Sequence, residues 1–299
     1  MNASIFALVL HLTEQLDWLS DPRVNLLLAQ ENELVISPFL FLSSELELAD
    51  ESAAKIRDRV LIQSRLEAIN EQFGQDWVSE RLAGNLGLLR EDADVAQLFG
   101  TAKGRDAYVV ATGPTLAHHL SALKAVYERP ERPLFICVDT ALRPLMAQGI
   151  KPDIVVTIDR HIHLGILDPQ HSSHIALVYI PMVDNKVVSQ WQGPRYGAYE
   201  MLDTYAGLQK KLRRASLFTG GSVIHPATDL AVRMGAHNIT LFGADFSFPE
   251  GRTHTGWQDG ELGSDARYGR RTVPNGHGQP VKTLLSFCIY LNGLEVYIQ

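Results

Sequence analysis

Thr112-Gly113-Pro114-Thr115 follows the apolar run Tyr108–Ala111 and precedes a stretch, Leu116–Tyr127, with apolar residues at helical spacing. A buried strand, a tight turn and a helix form a unit suited to anions. Glycine lets a ligand approach the backbone, and a helix start offers free N–H groups and the positive end of its dipole. A proline before or within the first helical turn costs nothing there. The same arrangement also serves as an ordinary strand-to-helix connection in α/β proteins. The turn lacks the third glycine of the dinucleotide fingerprint and the Gly-Lys-Ser/Thr of a P-loop. It supports neither an ordinary NAD enzyme nor a P-loop kinase.

Further polar residues end other apolar runs. Asp139 follows Leu134–Val138, Asp159 follows Ile154–Ile158, and Gly243-Ala244-Asp245 follows Asn238–Phe242. Gly220-Gly221-Ser222 follows Leu217 and opens a second helix, with His225 in its first turn. Single strand-end aspartates often cap helices. Several at one sheet edge suit a nucleotide phosphate or a sugar with its hydroxyls. His254 lies in Arg252-Thr-His-Thr-Gly-Trp257, within a long polar segment, 247–280, that reads as an irregular loop and a lid. A histidine there suits general acid or base work. His161, His163, His171 and His174 lack strict metal-ligand spacing and read as surface loop residues.

These residues need elements to position them. From residue 105 the chain alternates apolar strands and amphipathic helices: strands at Leu134–Val138, Ile154–Ile158, Ile175–Ile180, Leu217–Gly221 and Asn238–Phe242, helices at 140–148, 199–212, 222–234 and 281–298. This predicts an α/β fold, a mostly parallel doubly wound sheet of Rossmann-like kind, with ligands at the carboxyl ends of its strands. Residues 1–104 form a mainly helical N-terminal region by the same reading. It has helices near 5–19 and 53–73 and a strand near 35–42, and it suits a cap or partner surface. The expected division is 1–104 and 105–299.

The 299 residues suit one large domain or two smaller ones, and a hydrophobic fraction of 45% is ordinary for a globular protein. A net charge of −7 argues against a nucleic-acid surface or a polybasic membrane anchor. The local exception, Lys210, Lys211, Arg213 and Arg214, reads as a solvated face. The two cysteines, Cys137 and Cys288, lie in apolar stretches and read as core residues in a reducing compartment. There is no basic leader and no apolar run of membrane-spanning length, so the expected location is the cytosol.

An ordered set of segments carries a family resemblance: ATGPTL at 111–116, CVDTALRPL at 137–145, GIKPDIVVTIDR at 149–160, GGSVIHPATDLAVRMGAHNITLFGADFSF at 220–248 and THTGW at 253–257. Over roughly residues 105–298 the chain resembles the central domain of the motility accessory factor proteins. That domain is shared with archaeal 6-hydroxymethylpterin diphosphokinase-like proteins and is similar to bacterial sialyltransferases. Those factors continue into a further helical region, so the resemblance makes this chain a short member or a fragment.

The resemblance implies two chemistries. One transfers a nonulosonic acid from its CMP donor to Ser or Thr of a protein such as flagellin. Thr112, Gly113, Pro114 and Thr115 then hold the phosphate or ribose, with Asp139 near the nucleotide and Gly220, Gly221 and Ser222 bordering the cytidine. Asp245 and Ser247 meet the sugar, with Asp159 and His225 as further substrate contacts, and His254 deprotonates the acceptor. Ser247 departs from the aromatic residue that the sialyltransferases carry there. The other chemistry moves diphosphate from ATP to a pterin alcohol, with Mg²⁺ on Asp139, Asp159 or Asp245. A third reading is a non-catalytic nucleotide-binding or scaffold protein. The absence of a motif for pterin stacking and the helical N-terminal region favour the glycosyltransferase.

Overall fold

Apolar segments rich in β-branched residues stack side by side, and at the centre of the stack neither face meets water. β3 (Leu134–Val138) is buried at all five positions and β4 (Ile154–Thr157) at all four. That is the signature of a parallel sheet covered on both sides. The computed structural model describes residues 80–201, 205–263, 266–269 and 271–299.

The sheet has seven parallel strands in the order β1-β6-β5-β4-β3-β2-β9. Its other members are β1 (Ala93–Asp94), β2 (Ala107–Val110), β5 (Ala176–Tyr179), β6 (Arg195–Gly197) and β9 (Ile239–Phe242). From β2 the chain steps outward through β3, β4, β5 and β6. β9 then returns to the opposite side of β2, pairing Val110 with Phe242. The strand order therefore reverses between β2 and β9, where open α/β sheets form a crevice at their carboxyl ends.

The helix α1 spans residues 80–91. Next come α2 (Leu116–Tyr127), α3 (Leu142–Ala147), α4 (Asn185–Gln190), α5 (Ala206–Lys211), α6 (Ile224–Arg233) and α7 (Leu285–Ile298). α6 packs on β2 and β3, and the first eight of its ten residues are buried.

Three expectations differ from what is found. Leu217–Gly221 is not a strand of the main sheet: only β8 (Ser216–Leu217) is extended, and it pairs with β7 (Tyr199–Glu200) in a separate two-stranded unit beyond β6. With glycine at 220 and 221, the segment lacks side chains to continue the ladder. The polar stretch 247–280 is not irregular throughout. Arg271–Pro274 (β10) pairs antiparallel with Pro280–Thr283 (β11) around the loop 275–279, so the last helix starts at Leu285 rather than 281. The region 199–212, read as helical, opens with β7 and is helical only from Ala206.

Residues 80–104, grouped above with the N-terminal region, bear on the sheet itself. β1 is its edge strand, and Asp92 accepts from Tyr179 Oη at 2.9 Å and from Arg195 Nη2 at 2.6 Å. Asn85 on α1 donates to Pro181 O and Val183 O beyond β5. Residues 80–299 fall within one compact unit. The helices and strand expected before residue 74 lie outside the described residues. No helix among the described residues is long and apolar enough to cross a membrane.

Candidate functional site

The crevice between β2 and β9 is lined by residues that end strands. β2 delivers Thr112 and Gly113, and β9 delivers Gly243 and Asp245. The two turns are joined by Gly113 N–H donating to Gly243 O at 2.8 Å. Asp245 is half-buried and faces the start of α2. It accepts from Thr115 N at 2.8 Å on Oδ2 and from the Thr115 hydroxyl on Oδ1. Ser247 is buried with its hydroxyl on Asp245 O at 2.9 Å.

Next along the edge, Asp139 at the end of β3 is almost fully buried. Thr140 N–H donates to its Oδ1 at 2.7 Å and Thr157 Oγ1 to its Oδ2 at 2.8 Å. Burial pushes this carboxyl up to about 7, opposed by the Thr157 donor and aided by the charge of Asp159. Asp159 itself is exposed after β4 and accepts from His161 N–H at 2.8 Å. Thr112 Oγ1 and Thr140 Oγ1 share a hydrogen bond of 2.6 Å, which joins the β2 turn to the Asp139 turn.

The segment 253–257 is a strap bonded across this edge. Thr255 N–H donates to Thr112 O at 2.7 Å, and its hydroxyl sits 3.0 Å from Gly113 O and 3.2 Å from Pro114 O. Trp257 donates its indole N–H to Thr140 O at 2.9 Å, and the Arg143 guanidinium lies 4.4 Å above its ring. His254 is thereby held beside the glycine turn. Burial lowers its pKa to about 4, although Asp259 acts in the opposite direction, so the ring is neutral at pH 7. Its Nδ1 is sealed from solvent without a partner.

The second glycine turn is closed. His225 is fully buried, with Nδ1 on Ser222 and Nε2 2.9 Å from Tyr290 O on α7. A Cβ at Gly220 would lie 2.7 Å from His225 Nε2, and one at Gly221 2.5 Å from the Tyr290 ring. Gly220, Gly221, Ser222 and His225 thus pack toward α7 through Tyr290, and the His225 ring also lies 6.3 Å from the ring of Phe246, the residue after Asp245.

Among the described residues no three His, Cys, Asp or Glu side chains group as metal ligands. Both Asp245 oxygens are engaged by Thr115, and Asp139 is buried and half-protonated near neutrality. The three carboxylates as arranged do not fit a Mg²⁺ site. Of the basic run, Lys210, Lys211 and Arg213 are exposed, whereas Arg214 donates to Leu89 O and Asp92 O at the end of α1. Both cysteines are free. Sequence reasoning did not single out Thr140, Thr157 or Thr255, the hydroxyls that knit the edge together. A lone threonine ending the apolar strand Ile154–Thr157 was the available signal.

In sequence, no curated protein matches the chain significantly. In structure, it is similar to the MAf glycosyltransferase from Magnetospirillum magneticum AMB-1, with a TM-score of 0.50 and 21% identity. The match covers 69% of this chain and 33% of that protein, so the likeness is one of fold over about a third of the neighbour's length. A family model described as 6-hydroxymethylpterin diphosphokinase MptE-like matches residues 80–251, from α1 through the β9 end and into the strap's approach. That span is more than half of the chain and includes the glycine turn, Asp139, Asp159 and Asp245, and the chain belongs to the 6-hydroxymethylpterin diphosphokinase MptE-like family.

Proposed function

We propose that this domain is a glycosyltransferase of the motility accessory factor type, moving a nonulosonic acid from a CMP donor to a Ser or Thr hydroxyl of a protein such as flagellin. The observation that carries this reading is the neutral His254, its Nδ1 buried without a partner, on a strap hydrogen-bonded to the β2 turn. The donor lies along the ends of β2, β3 and β4, bordered by Thr112, Thr140 and Asp139, with Asp159 at the rim. The acceptor hydroxyl oxygen attacks the anomeric carbon and its proton passes to His254. The bond from that carbon to the phosphate oxygen breaks, and CMP leaves with the electron pair. A neutral imidazole is the form that can take this proton. The fold shared with a MAf glycosyltransferase is consistent with this assignment.

A second reading, diphosphate transfer from ATP to a pterin alcohol, is favoured by the description of the matching family. It needs Mg²⁺ at carboxylates, and the engagement of Asp245 by Thr115 and the burial of Asp139 weigh against it. Calorimetric titration with CMP and with ATP, each with and without Mg²⁺, separates the two. Metal-independent CMP binding is the expected result. Mg²⁺-dependent ATP binding without CMP binding would replace the first reading by the second, and binding of neither would leave a scaffold role.

A further inference from the structure

A helix that receives a phosphate presents free first-turn amides to it. At α2 none of these groups is free. Gly113 N–H is on Gly243 O at 2.8 Å, residue 114 is proline, and Thr115 N–H is on Asp245 Oδ2 at 2.8 Å. Leu116 N–H is on Gly113 O at 3.0 Å, Ala117 N–H on Pro114 O at 3.2 Å and His118 N–H on Thr115 O at 3.0 Å. The Thr115 hydroxyl takes the second oxygen of the Asp245 carboxylate. Asp245 therefore stands where an external anion would stand.

The glycine has the same explanation. A Cβ on Gly113 would lie 2.4 Å from Asp245 Oδ2 and 2.4 Å from Gly243 O. Gly113 makes room for the protein's own carboxylate and backbone, not for a ligand. On the other side of the turn, the Thr255 hydroxyl lies against Gly113 O and Pro114 O.

We propose that Asp245 is a positioning residue, a built-in anion that fills the N-terminal pole of α2, locks the 113–115 turn through Thr115, and directs a nucleotide's phosphate to groups other than the α2 amides. The nucleotide readout below rests on the transferase reading. The stability and amide readouts need no substrate, so a failure of that reading leaves them intact.

The test uses the full chain and its Asp245→Ala, Asp245→Asn and Thr115→Val variants. Melting is followed in chloride, formate and inorganic phosphate, and the amides of 115–117 are followed by nitrogen-15 NMR. Asp245→Ala opens an anion-sized gap. Its melting temperature should fall, formate should restore much of the loss, and the Thr115 amide should shift as formate binds. The native chain should show neither effect with formate or phosphate. Asp245→Asn and Thr115→Val should weaken CMP binding by no more than about tenfold, the scale of one altered charge-assisted hydrogen bond. The proposal is overturned if phosphate or CMP moves the 115–117 amides of the native chain, or if formate does nothing for a folded Asp245→Ala chain. It is equally overturned if Asp245→Asn melts normally yet loses CMP binding altogether, since the carboxylate would then be contacting the ligand. Should Asp245→Ala not fold, the native amides and the two milder variants still decide.

Discussion

The hydroxyl of Thr255 is shared between Gly113 O at 3.0 Å and Pro114 O at 3.2 Å, across 142 and 141 residues of chain. This one side chain closes the carbonyl side of the glycine turn and fixes the strap that carries His254. Thr255→Val keeps the volume and the backbone hydrogen bond to Thr112 O but removes one of the donors to each carbonyl, which keep Leu116 N–H and Ala117 N–H. The expected cost is about 0.5–1.5 kcal/mol. At roughly 2–4 °C per kcal/mol for a domain of this size, melting by circular dichroism resolves it, and proteolysis between residues 249 and 263 should speed up.

Two glycines separate steric need from backbone need. Gly113→Ala would push a Cβ against Asp245 and the Gly243 carbonyl, neither of which can yield without breaking the β2–β9 junction. Gly104 has φ +77° and nothing within 4 Å of a Cβ. Gly104→Ala should cost about 1–2 kcal/mol of left-handed backbone strain. Gly113→Ala should cost more and should also abolish the Thr115–Asp245 contact, as read from the Thr115 amide. Equal melting shifts for the two variants would contradict this account.

Asp139 gives stability a pH dependence of definite sign. Its carboxyl is raised from 3.8 to about 7 by burial, so between those values the folded chain binds a proton that the unfolded chain does not. Its contribution to stability is therefore fully favourable below pH 3.8 and declines as pH rises toward 7. Asp139→Asn removes that decline. Relative to the native chain, the variant should gain stability from pH 5 to pH 8, by a few degrees at roughly 2–4 °C per kcal/mol. Melting curves at pH 5, 6.5 and 8 check this, and a constant difference across the three would refute it.

His254 acts in the opposite sense. Its pKa is lowered from 6.5 to about 4 by burial, so between those values the unfolded chain binds the extra proton. Stability is unaffected above pH 6.5 and falls as pH drops through 6.5 toward 4. His254→Gln should flatten that acid limb. If His254 takes the acceptor proton, the same change should lower turnover by about 10²–10⁴-fold while CMP binding persists. The native pH–rate profile should then stay flat well below pH 6.5. A rate that breaks at 6.5 would assign the limb to another group.

Elements whose periodicity is strong over a useful length are legible in the chain alone. Leu116–Tyr127 and Leu134–Val138 occur with the bounds read from their patterns, and Ile154–Thr157 and Ile239–Phe242 come within a residue or two. Burial of Leu134–Val138 and Ile154–Thr157 on both faces leaves continuous apolar runs that need no partner to be recognised. The polar residues that end the strands are legible in the same way. Strands of two or three residues, such as Ala93–Asp94 and Arg195–Gly197, have no period to read, and they exist because the neighbouring edge offers them a ladder. The β10–β11 hairpin turns through 275–279, a polar stretch whose asparagine and glycines suit a loop but give the flanking strands no period to read. The direction in which each polar group is spent belongs to the folded chain. Asp245 turns onto Thr115, 130 residues away, and His225 turns onto Tyr290, while His254 keeps Nδ1 without a partner. Spacing along the chain places such groups at a sheet edge. Which of them is consumed by the fold and which is left for chemistry depends on long-range partners, because each buried polar atom must find its hydrogen bond wherever packing brings one within reach.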